Sequence, residues 1–233
     1  MDSRWITRTH YENAMRVVLT GNSSGIGLVI WKELLSHGYT LVGTHIARAV
    51  NGRLSWNRCY DVRDDNDVED LFTWAGQVDI LINNAGVLDE QPFGRLTKDG
   101  MRAIFDMNFI APMLCAQEAV ARGASLIINI GSYYGVSGAY GTKPTYAASK
   151  AALHNSTLSL ARSLDGRCRV VAIAPGIIER TRIHDQQGGL AKHGDGRSLL
   201  HRPGLPEEVA STVLHVINNK YINGTVIEVH GGR

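Results

Sequence analysis

Tyr146 and Lys150, four positions apart in the run YAASK, are the residues whose types and spacing most directly suggest chemistry. On a helix this spacing puts a phenol and an ammonium on one face, one turn apart. A phenol can give and take a proton, and a neighbouring cation favours its ionised form. The pair alone proves little, because a chain of 233 residues with 8 Tyr and 6 Lys holds about 0.2 such pairs by chance. A second stretch, TGNSSGIG at 20–27, suggests binding rather than catalysis. Gly21, Gly25 and Gly27 allow a tight turn, close approach of backbone to a pyrophosphate, and tight helix packing. A helix opening there presents free N–H groups to an anion. A glycine-rich turn with no ligand is the plain alternative, but the strand before the loop and the helix after it favour a dinucleotide site.

The elements that would position these residues follow from the hydrophobic pattern. Apolar, β-branched runs at 15–20, 39–44, 58–62, 78–83, 125–131, 168–175 and 224–229 read as strands. Helical patterns fall between them at 25–37, 66–76, 99–122, 144–164 and 206–219. The runs are continuous rather than alternating, which suggests strands buried on both faces. Strand and helix in alternation predict a Rossmann-like, doubly wound α/β fold: a parallel sheet of about seven strands with helices on both faces. We expect residues 1–14 to form an N-terminal extension and 15–233 one catalytic domain, with 176–205 as a segment over the substrate. Net charge is +2 and the basic residues are scattered, which argues against a nucleic-acid partner. The three cysteines, Cys59, Cys115 and Cys168, have no metal-ligand spacing and read as reduced core thiols of a cytoplasmic protein. No apolar run approaches the ~18 residues that cross a membrane, and the first 14 lack the apolar stretch of a signal peptide. No metal site is expected.

The Gly-x-x-x-Gly-x-Gly spacing of the loop resembles that of the short-chain dehydrogenase/reductase family. The likeness continues along almost the whole chain from about residue 15, through YDV (60–62), NNAG (83–86), MNF (107–109), INIGS (128–132), YAASK, APG (174–176) and NGTVIEVHGG. It implies cofactor contacts from the loop residues Thr20, Gly21, Ser23, Ser24, Gly25, Ile26 and Gly27. Asp61 and Val62 would flank the adenine; Asn84, Ala85 and Gly86 would line the adenine and ribose side. Pro175, Gly176 and Ile178 follow the sixth strand, and Tyr146 and Lys150 would meet the nicotinamide ribose. The implied reaction is hydride transfer between a nicotinamide and a carbonyl or secondary alcohol, with Asn108, Ser132, Tyr146 and Lys150 as the catalytic group. A free tyrosine has a pKa near 10, and Lys150 should lower it so that Tyr146 serves as general acid and base. Ser132 would hydrogen-bond the reacting oxygen, and the Asn108 position would hold a water linking the lysine to solvent.

Three departures stand out. Ser132 and Tyr146 are 14 apart, one more than in much of the family, so the loop VSGAYGTKP should bulge. Arg180 stands where a hydroxyl residue is common, which puts phosphate contacts by Thr181 in doubt, and His230 replaces a common aspartate. NAD enzymes usually carry an acid at the end of the second strand; here Thr44 and His45 stand there, so a 2′-phosphate is tolerated. Arg48, Arg53 or Arg58 would reach that phosphate, and the reading leans to NADP(H) over NAD(H), although Ser24 is neutral where NADP-preferring relatives often carry a base. Tyr133, Tyr134, Tyr140 and Ile177 would line the substrate, with Ile183 and Leu190 above it. A carrier-bound acyl chain would need a basic patch, for which Arg180, Arg182, Arg197 and Arg202 are candidates. The resemblance also implies a homodimer or homotetramer. The rival function is a non-catalytic nucleotide-binding regulator, which typically loses the tyrosine or lysine retained here; a lyase or isomerase of the same fold is the other.

Overall fold

The computed structural model describes residues 14–45, 57–139, 141–181 and 198–233. In chain order the elements are β1 (Arg16–Thr20), α1 (Gly25–Ser36), β2 (Thr40–His45), β3 (Asn57–Cys59), α2 (Asp65–Ala75) and β4 (Ile80–Asn83). There follow α3 (Lys98–Phe105), a π-helical turn (Asp106–Ile110), α4 (Ala111–Ala121), β5 (Leu126–Ile130), α5 (Tyr134–Ser137) and α6 (Pro144–Leu164). The chain closes with β6 (Arg169–Pro175), α7 (Pro206–Asn218) and β7 (Thr225–Val229).

All seven strands join one sheet in the order β3-β2-β1-β4-β5-β6-β7, and every pairing is parallel. This is the doubly wound arrangement that the sequence predicts. Strand residues alternate between the two faces. Val17, Leu19, Ile80, Ile82 and Ile128 pack under α1 and α7 with Ile30, Leu34, Val209 and Val213. Val18, Leu81, Ile127 and Val170 pack under α2, α4 and α6 with Phe72, Cys115, Ala119 and Ala161. Strand order reverses between β1 and β4, so a crevice opens beyond the carboxyl ends of these two strands.

Three expectations change. The third strand is shorter than 58–62: after Cys59 the chain turns, with the Asp61 N–H on the Asp67 carboxylate at 2.7 Å and Asp64 capping α2. The 99–122 pattern is interrupted by the π turn. Pro112 sits in the first turn of α4 and has no N–H for the Asn108 carbonyl four residues back, so the helical ladder widens there. Cys115 and Cys168 are buried, as expected, and burial pushes their thiols up to about 12 and about 11. Cys59 is exposed on the edge strand and is no core thiol. Among the described residues no helix is long and apolar enough to cross a membrane, and no His, Cys, Asp or Glu cluster would hold a metal.

Candidate active site

The crevice is built first from a clasp between β1 and β4. Thr20 Oγ1 accepts from the backbone N–H groups of Asn84 and Ala85 at 3.0 and 3.1 Å. Asn84 Nδ2 donates back to the carbonyls of Thr20 and Gly21 at 3.0 and 2.8 Å. Gly21 has φ +70°, and a Cβ there would lie 2.8 Å from Ala85 Cα, so only glycine suits the turn. At Gly27 a Cβ would lie 2.2 Å from the Gly21 carbonyl oxygen. Ser24 caps α1 without a side-chain hydrogen bond, and the first turn of α1 holds no acid. Its N–H groups therefore face the crevice unopposed, in a cradle that fits a pyrophosphate. Ser23, Ser24, Gly25, Ile26 and Gly27 line this wall.

On the β2 side the wall is Thr44, His45, Tyr60 and Val62, with Thr44 Oγ1 donating to the Tyr60 carbonyl at 2.7 Å. Asp61 faces elsewhere: its carboxylate pairs with Arg63 at 2.5 Å, and that guanidinium holds its carboxyl below the usual range. Neither Asp61 nor Thr20 belongs to the wall. Thr44 and His45 end β2 without a carboxylate. Arg58 lies 4.3 Å over the Trp74 ring and donates to Tyr60 Oη at 3.3 Å; Arg48 and Arg53 lie outside the described residues.

The far wall carries Ser132, Tyr146 and Lys150, with Asn84, Ala85, Gly86, Pro175, Gly176 and Ile178 beside them. The register of α6 is held from below by buried amides: Asn83 Nδ2 donates to Asn129 Oδ1 at 2.9 Å, and Asn129 Nδ2 to Thr157 Oγ1 at 2.9 Å. Tyr146 is buried and hydrogen-bonded to the Ser132 side chain. Burial raises the phenol above its usual pKa, against a downward pull from Ser132. The lowering by Lys150 that the sequence suggests does not prevail over burial; the ammonium donates to the Ile130 carbonyl at 2.9 Å. Burial in turn lowers Lys150 to about 8.

Asn108 does not line the crevice and is fully buried behind it. Its amide accepts from Val87 N–H and donates to the Val87 carbonyl, each at 2.9 Å, and donates to Ser149 Oγ at 3.1 Å. Ser149 donates to the Tyr146 carbonyl at 2.7 Å. The π turn thus ties the segment after β4 to the part of α6 that carries Tyr146. In the connection from α5 to α6, between Ser132 and Tyr146, Gly138 and Gly141 take positive φ.

Tyr133, Tyr134 and Ile177 join the wall as expected, while Tyr140, Ile183 and Leu190 lie outside the described residues. Thr181, doubted on sequence, borders the glycine loop: a Cβ on Gly25 would lie 3.3 Å from its methyl. Of the four arginines named for a basic patch, the two described ones are paired with acids. Arg180 pairs with Glu207 at 2.5 Å and Arg202 with Glu208 at 2.5 Å; Arg182 and Arg197 are outside the described residues. Sequence reasoning missed Arg233, which lines the crevice and lies 5.6 Å over the Tyr134 ring. It also missed His154 beneath Ser132, whose spacing of eight from Tyr146 was the available signal.

The family model described as enoyl-(acyl carrier protein) reductase matches residues 20–233. Carbonyl reductase family member 4 of Danio rerio is 32% identical over 232 residues, covering 92% of this chain and 96% of that protein. The 3-oxoacyl-(acyl-carrier-protein) reductase of Vibrio harveyi is 32% identical over 238 residues, covering 92% and 95%. A solved structure of a short-chain dehydrogenase/reductase of glucose/ribitol dehydrogenase type from Brucella melitensis superposes with a TM-score of 0.86 at 26% identity, covering 94% and 96%. These likenesses favour an enzyme over a non-catalytic nucleotide binder. With a model match over residues 20–233 and relatives alike along nearly their whole length, the chain belongs to the short-chain dehydrogenase/reductase family of NAD(P)-dependent oxidoreductases.

Proposed function

We propose that residues 15–233 act as one catalytic domain that interconverts a carbonyl and a secondary alcohol, with Tyr146 as the proton-transferring group. The observation that carries this reading is the meeting of the Tyr146 phenol with the Ser132 side chain on a wall that Lys150 shares, across the crevice from the anion cradle. The cofactor, when bound, supplies or accepts the hydride. Tyr146 gives its proton to the carbonyl oxygen in reduction and takes it back in oxidation. Ser132 Oγ donates a hydrogen bond to the same oxygen as negative charge develops. Lys150 sets the charge next to the phenol and offers its remaining N–H groups to the cofactor ribose. Asn108 acts behind them by fixing Val87 to α6.

NADP(H) is the preferred cofactor on this reading, because β2 ends without an acid that would repel a 2′-phosphate and His45 at that end lines the crevice. The substrate lies between Tyr134 and Ile177. A carrier-bound acyl chain, suggested by the name of the Vibrio relative, is less well supported because Arg180 and Arg202 are already paired. A cytoplasmic homodimer or homotetramer is proposed, joined through the 99–122 segment, α6 and the C-terminal strand region; Met101 of α3 and Ile110 of the π turn are exposed on the first of these. The test is turnover of a panel of ketones, aldehydes and secondary alcohols with each nicotinamide. Tyr146→Phe should abolish turnover and leave nicotinamide binding nearly intact; a variant that still turns over at wild-type rate sinks the assignment.

A further inference from the structure

Helix α6 presents Tyr146, Lys150 and His154 at steps of four residues, hence along one face. The first two line the crevice. The third lies one turn further along the helix, buried beneath the turn that joins β5 to α5 and carries Ser132. His154 Nε2 accepts the Ser132 backbone N–H at 3.4 Å, and the Gly135 backbone is its other hydrogen-bond partner. The ring thus bridges both ends of the Ser132 turn. A protonated Nε2 would set N–H against N–H, so this bridge needs the neutral ring with its proton on Nδ1. Burial and the Lys150 ammonium hold it neutral, pushing its pKa down to about 4.

One glycine shows that the turn is shaped around the ring. A Cβ on Gly131 would lie 2.0 Å from His154 Nε2 and 2.7 Å from Cδ2. Gly131 takes no positive φ, so its own backbone does not require glycine; the imidazole does. At Gly135 a Cβ would meet the Lys150 backbone at 2.7 Å as well as His154 Cε1 at 2.8 Å, so there the close approach of α6 itself requires glycine. A buried histidine that merely fills space would not need a ring nitrogen turned onto the Ser132 N–H.

We propose that His154 is a positioning residue that clamps the Ser132 turn from below and holds the Ser132 hydroxyl at the Tyr146 phenol. This rests on the proposed role of Ser132 in the reaction.

The test uses His154→Gln, whose amide reaches the Nε2 position, and His154→Asn, whose shorter amide reaches only the Nδ1 position. Each is made alone and with Ser132→Ala. With whichever carbonyl of the panel the wild type reduces, H154Q is expected to exceed H154N in kcat by about tenfold, the effect of one hydrogen bond on a reacting geometry. NADPH affinity should be the same in both, and in the S132A background the difference should vanish. Equal kcat values for the two variants, or a difference that persists without the Ser132 hydroxyl, overturn the proposal. A second readout needs no turnover. Imidazole 15N NMR, with the His154 signals identified by their loss in H154Q, should show Nδ1–H and a bare Nε2 that stays unprotonated down to about pH 5.5. An Nε2–H tautomer, or titration near an ordinary histidine pKa, overturns the clamp. Absence of wild-type turnover would count against the proposed function, and the NMR result would still decide the clamp.

Discussion

Tyr146 and Lys150 titrate in an environment that favours opposite pH behaviour in the two directions of the reaction. Burial raises the phenol, so Tyr146 is protonated at neutral pH, the state needed to donate to a carbonyl. Burial lowers Lys150 to about 8, so its ammonium is present below that pH and lost above it. Rising pH therefore removes first the cation beside the phenol and then the proton on it. Carbonyl reduction should hold its kcat/KM from about pH 6 to about pH 7.5 and fall above that, while alcohol oxidation should climb with pH over the same range. Paired pH–rate profiles with one ketone and its alcohol check this, and flat profiles in both directions would remove Tyr146 from the proton transfer. At this scale the sequence displayed Tyr146 and Lys150, because their spacing is local. It did not display the balance between them, since the Ile130 carbonyl that holds Lys150 comes from a strand 20 residues away.

The elements matter through the places where they depart from regularity. A regular α-helix over 99–122 would rotate Asn108 relative to Val87; the π turn ahead of Pro112 seats its amide on both Val87 backbone groups. Asn108→Ala would leave that N–H and carbonyl without their partners in a partly buried place, at a cost of about 1–2 kcal/mol. Urea unfolding should show that loss at constant m-value, and because Gly86 beside Val87 lines the crevice, nicotinamide affinity should fall with it. An Asn108→Ala protein as stable as the wild type would mean that the amide only fills space. Helix existence was legible here because apolar residues recur at the helical period, but that period does not register one inserted residue. Pro112 was the only local hint. The same limit hides His154, whose role exists only because the Ser132 turn folds onto the second turn beyond Tyr146. It also explains the early end of β3, decided by the Asp61 and Asp64 contacts with α2 rather than by β-propensity.

At the scale of the molecule, the strand order was readable in outline because alternating strands and helices admit few topologies. Much of the crevice lining was readable too, because it sits in local motifs at strand ends; Thr44, Tyr60 and the last residue of the chain, Arg233, were not named as lining, since they join it only where the ends of six strands come together. The choice of cofactor belongs to the assembled crevice and is open to a direct test. Any ligand that binds only the folded chain stabilises it by mass action, by about 2.7 kcal/mol at a hundredfold excess over Kd. For a chain of this length each kcal/mol moves Tm by about 2–4 °C. His45 at the β2 end, and the lack of a carboxylate there, predict tighter binding of the nicotinamide that carries a 2′-phosphate. Thermal unfolding at equal concentrations of NADPH and NADH should then show a Tm rise of about 5–10 °C with NADPH near saturation and a smaller one with NADH. His45→Asp should invert the order, because a carboxylate there repels the phosphate and accepts from the ribose hydroxyls. A larger rise with NADH in the wild type would assign the enzyme to NAD. No rise with either would mean that the cradle at α1 holds no dinucleotide.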